Sequence, residues 1–106
     1  MNAALFIRSL EERMDMELKR KLSSTIGTIS ATEIEGLLIR LTDLKTRYLA
    51  ALLDIGRTRG GIPLKQLEEL QRLRTGFSEI EAGFAALKAG IKAGELSVEE
   101  SYVPYV

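Results

Sequence analysis

From Ile34 onward an apolar residue recurs at every third or fourth position without a break: Ile34, Leu37, Leu41, Leu44, Tyr48, Ala51 and Ile55. That spacing keeps one stripe of an α-helix apolar and is the heptad pattern of a helix seam. A second run, Leu70, Leu73, Phe77, Ile80, Phe84, Leu87 and Ile91, repeats it. Between the two lies GRTRGGIP, residues 56–63, with three glycines and a closing proline. Two long amphipathic helices joined by so short a connection predict an antiparallel hairpin over residues 31–94. Its boundaries are signalled locally. Ser30 and Glu33 form an S-x-x-E capping box, Gly56 is placed to stop the first helix, and Pro63 to open the second.

Upstream, Phe6, Ile7, Leu10, Met14, Leu18 and Leu22 alternate with Glu11, Glu12, Arg13, Glu17, Arg20 and Lys21, which predicts an amphipathic helix over residues 1–22. The stretch SSTIGTIS, residues 23–30, interrupts the pattern and reads as a hinge. Downstream, residues 95–106 lose the heptad and form an extended arm around Pro104. The expectation is therefore an all-α chain in a single domain, residues 1–106: N-terminal helix, hinge, long helical hairpin and C-terminal arm. Hairpin helices of about 25 and 30 residues are on the order of 38 and 45 Å long at 1.5 Å per residue. Two such helices alone make a thin rod that buries little.

The second hairpin helix carries a further regularity. TGFSEIE, AGFAALK and AGIKAGE follow one another from residue 75, so that Gly76, Gly83 and Gly90 each precede a seam residue, Phe77, Phe84 or Ile91. Small residues, among them Ala82, Ala85, Ala86, Ala89 and Ala93, occupy much of the rest of the circumference. The alanines alone are explained by helix propensity, but three glycines inside a helix cost roughly 3 kcal/mol relative to alanine. The favoured reading is a second contact face that lets a neighbouring backbone come close, built on Gly76, Gly83, Gly90, Ala82 and Ala86 beside the seam. The neighbour is either the chain's own first helix or another subunit. A loop midpoint near residue 60 sets Gly36 opposite the region of Gly83.

Composition narrows the chemistry. The fifteen basic and fifteen acidic side chains cancel, and the chain has neither cysteine nor histidine. Disulfides, thiolate nucleophiles and the commonest general base and metal ligand are thereby excluded. The acidic pairs Glu11/Glu12, Glu33/Glu35, Glu68/Glu69, Glu79/Glu81 and Glu99/Glu100 are one or two residues apart, so on a helix they diverge rather than converge. No phosphate loop or nucleophile motif is present, and the expectation is a non-enzyme without cofactor, metal or small-molecule substrate. No apolar run reaches the roughly 20 residues of a membrane span, and the N-terminus lacks the pattern of a signal peptide. A cytoplasmic location, or one within a virion or other assembly, is expected.

Two features are left over. Arg57, Arg59 and Lys65 make the hairpin tip basic and offer a nucleic-acid contact, although the pattern is weak and solvated tip charges are the favoured explanation. The tail ends in Tyr102, Val103, Pro104, Tyr105 and Val106, an apolar segment suited to docking on a partner or folding back. Together these features predict a non-enzymatic helical subunit of a homo-oligomer or larger assembly, in a structural or adaptor role, with itself and another protein as partners. Phage connector or packaging rings and secretion-type chaperones offer an analogy of shape alone. The alternatives are a DNA-contacting packaging or regulatory factor that uses the basic tip, and a helical inhibitor or chaperone of one protein partner.

Overall fold

The computed structural model describes residues 2–99. Three helices account for most of them: α1 (Ala3–Thr25), α2 (Ala31–Arg57) and α3 (Leu64–Lys92). Two-residue strands β1 (Thr28–Ile29) and β2 (Ser97–Val98) pair in parallel, with Thr28 opposite Ser97 and Ile29 opposite Val98. The fold is all-α, with the helical hairpin formed by α2 and α3. The chain divides into two compact units, residues 34–86 and residues 1–33 with 87–106.

Within residues 34–86 the heptad residues form the hairpin seam, apart from Leu37, which is exposed. Ile34, Leu41, Leu44, Tyr48, Ala51 and Ile55 of α2 are half-buried, as are Leu70, Phe77, Ile80 and Phe84 of α3, while Leu73 is only 5% exposed. The rings of Tyr48 and Phe77 stack with centroids 6.3 Å apart and planes 10° from parallel. At the tip, the Thr58 hydroxyl donates to the Asp54 carbonyl at 2.9 Å and lies 3.2 Å from Gln66 Oε1. The expected stop at Gly56 is displaced: α2 continues to Arg57, and the Thr58 N–H closes the last turn on the Ile55 carbonyl at 3.1 Å. The positive φ that reverses the chain belongs to Gly60, at +80°. Pro63 stands just ahead of α3, its carbonyl accepting from the N–H groups of Gln66 and Leu67. Proline suits this position, because an N–H there would have no helical partner.

The other unit begins with α1, capped by the Asn2 side chain, which accepts the Ala4 N–H at 2.9 Å. The segment expected as a hinge holds the last turn of α1 followed by β1, with Gly27 at φ +70° between them. The end of α3 explains why β1 has a partner. Gly94, at φ +76°, donates to the Ile91 carbonyl, and the Glu95 N–H reaches the Gly90 carbonyl at 2.9 Å. This is a Schellman cap, which reverses the chain and leads it into β2. The Glu99 N–H then donates to the Ile29 carbonyl at 2.9 Å, and Ile29 is only 4% exposed. The Glu99 carboxylate accepts the Ala31 N–H at 3.0 Å, from 68 residues away, alongside the capping box in which Ser30 and Glu33 bond reciprocally. Both carboxylates sit where the positive end of α2 favours them. Of the expected C-terminal arm, residues 95–99 form this strap; Tyr102, Val103, Pro104, Tyr105 and Val106 lie outside the described residues.

Candidate functional site

The eight residues expected to form a helix-packing face all lie on α3, but they meet different surroundings. Phe77, Phe84 and Ile91 are half-buried, in keeping with their seam positions. A Cβ added to Gly76 would touch Leu44 Cδ2 at 4.0 Å, an ordinary van der Waals contact. One added to Gly90 would come within 2.8 Å of Leu96 Cδ1, so the strap that follows the Schellman cap lies directly against that glycine. A Cβ on Gly83 would meet nothing within 4 Å, and the same is true of Gly36. Ala82 and Ala86 are exposed, as are Ala85 and Ala89. The neighbour at Gly90 is thus the Leu96 side chain of the strap, neither the first helix nor another subunit, while Gly83 with its flanking alanines is exposed.

A second uncovered row lies on α2 and was missing from the heptad reading. Leu38, Ile39, Leu49, Leu52 and Leu53 are all exposed, although none belongs to the seam. Threonines stand among them with their hydroxyls turned back on the helix: Thr42 Oγ1 donates to the carbonyls of Leu38 and Ile39 at 3.0 Å, and Thr46 Oγ1 to that of Thr42 at 2.8 Å. A threonine so bonded makes no polar demand on a neighbour. The signal was present in the sequence as Leu38, Thr42, Leu49 and Leu53, at spacings of four and seven, but the stronger run of the seam overlays it. Helix α1 also buries none of its residues; Phe6, Ile7, Leu10, Met14 and Leu18 are exposed.

Charge is locally matched along the helices. Lys19 pairs with Asp15 and Arg47 with Asp43, each one turn apart. Arg20 and Glu17 meet at 2.8 Å, and Arg72 grips both carboxylate oxygens of Glu69, at 2.9 and 2.6 Å. The hydrogen bond from Arg20 holds the Glu17 carboxyl below the ordinary glutamate value, and the bond from Arg72 does the same for Glu69. At the hairpin tip, Arg57 lies 3.4 Å from Asp54, whereas Arg59 and Lys65 are exposed and make no ion pair among the described residues. Among the described residues, no three His, Cys, Asp or Glu side chains are grouped as a metal site requires, and no helix is long and apolar enough to cross a membrane. Comparison with protein-family models, with curated proteins and with solved structures found no match to this chain.

Proposed function

We propose that this protein is a non-enzymatic helical subunit of a homo-oligomer or larger assembly. The observation that carries the reading is the distribution of apolar surface. Among the described residues the buried hydrophobic side chains are Ile29 and Leu73, while large apolar residues stand exposed on α1, on the outer row of α2 and on the first turns of α3. Burial is worth about 25 cal/mol per Å² of apolar surface, and a domain of this size has little stability to spare. Surface left uncovered in one chain is a strong incentive for several chains to cover it together. The open Gly83 level of α3, with Ala82 and Ala86, gives a neighbouring helix room to come close.

The experiment is absolute molar mass against concentration, with Leu53→Asp as a control on α2. Association that weakens in the variant while helicity is kept supports the reading. A second reading, contact with DNA through the hairpin tip, draws on Arg59 and Lys65, which are exposed and make no ion pair among the described residues. Replacing both by alanine abolishes DNA retention under that reading and leaves the molar mass unchanged under the first.

A further inference from the structure

Helix α2 has two apolar sides. At 100° per residue its seam occupies one side, Arg40, Asp43, Arg47 and Asp54 cluster on a second, and Leu52, Leu38, Leu49, Thr42, Leu53 and Ile39 span an arc of about 140° that adjoins the seam at Leu52 and also holds Lys45, Thr46 and Glu35. The order of apolar residues and Thr42 on that arc is close to a palindrome. About a point between Lys45 and Thr46, Leu38 mirrors Leu53, Ile39 mirrors Leu52, and Thr42 mirrors Leu49. A two-fold axis beside that point, perpendicular to the helix, would set each residue of one chain level with its mirror partner in another, Leu38 across from Leu53 and Thr42 across from Leu49, with Ile39 and Leu52 on opposite flanks of the contact. That is the defining property of an isologous interface.

We infer that the outer row of α2 is a two-fold, antiparallel contact with α2 of a second copy of this chain. The inference rests on the proposed self-assembly and names the surface by which it occurs. Charge supports the register independently. Glu35 lies at one end of the row and mirrors Gly56, next to Arg57 at the other end, and both charged side chains are exposed on the same flank. In the antiparallel pair the two ends of the seam therefore each bring a Glu35 beside the other chain's Arg57. The threonine hydroxyls, bonded within their own helix, need no partner across the contact. One feature opposes the pairing: Lys45 meets its own copy beside the axis. The seam from Leu38 to Leu53 is also only about 22 Å long at 1.5 Å per residue. It holds two chains together weakly and works alongside other surfaces in a larger assembly.

The test is a charge swap read by sedimentation of the full chain. Glu35→Arg and Arg57→Glu each weaken association, roughly threefold or more, and the double variant restores it. Within one helix the two positions are about 33 Å apart, so restoration requires a second chain. Leu49→Asp is expected to lower association at least tenfold with helicity unchanged, since Leu49 is exposed in the single chain. A double variant no stronger than the weaker single variant overturns the seam. If wild type and Leu49→Asp associate equally, the seam is also overturned, while self-assembly through another surface stands. A wild-type chain that remains monomeric at every concentration overturns both.

Discussion

A glycine in a helix is informative only through what stands where its side chain would be, and Gly83 and Gly90 differ on that point. Gly83 faces open space in the single chain, so Gly83→Ala at concentrations too low for association should gain about 1 kcal/mol of helix propensity. Gly90 lies against Leu96, and the added methyl of Gly90→Ala must displace that side chain. Thermal unfolding of the two variants is expected to show a higher melting temperature for Gly83→Ala than for Gly90→Ala; equal gains would contradict the close contact at Leu96. In the sequence, the sevenfold spacing of Gly76, Gly83 and Gly90 presents them as equivalent. They are not, because the Schellman cap at Gly94 folds the following residues back onto Gly90 alone, and that contact depends on a chain reversal that no periodicity reports. The exposed pairs behave more simply. The Glu17 and Glu69 carboxyls sit below the ordinary glutamate value, so the stabilisation from their arginines is present above the unfolded value and is lost as the pH falls through the folded one. Side-chain NMR should show Glu69 titrating below the ordinary value and Arg72→Ala raising its midpoint; an unmoved midpoint would remove Arg72 as the cause.

At the scale of elements, the first turn of α2 is held from two directions, by its neighbours Ser30 and Glu33 and by Glu99 from the strap. Losing one such cap typically costs about 1 kcal/mol. Glu99→Ala should therefore accelerate hydrogen exchange at the Ala31 amide several-fold, while Ser30→Ala should accelerate Glu33. Unchanged exchange at Ala31 would show that the strap does not cap the helix. The helices themselves were legible in the sequence, since seam residues such as Leu44, Tyr48, Leu73 and Phe77 announce their partner face by spacing alone. The pairing of β1 with β2 was not. A two-residue parallel ladder joins positions nearly seventy residues apart, and a strand that short leaves no alternation to read. The stop at Gly56 was misplaced for a related reason: the turn chemistry of Thr58 and Gly60 outweighs the nearest glycine.

For the whole molecule, the question is what covers the apolar surface that the chain leaves open. A seam of half-buried residues, two buried hydrophobics among those described, and exposed rows on α1 and α2 suit a component that completes its packing with other chains. The outer row of α2 was readable in principle from Leu38, Thr42, Leu49 and Leu53, but its meaning depends on knowing which side of the helix the hairpin has already used. Only the contacts between α2 and α3, such as Tyr48 on Phe77, fix that. The most direct measurement is the absolute molar mass of the purified chain by light scattering on a sizing column, at low and high salt. Apolar self-assembly gives a salt-resistant mass several times the chain's 11.8 kDa. A mass of one chain at both salts and at all concentrations would contradict it.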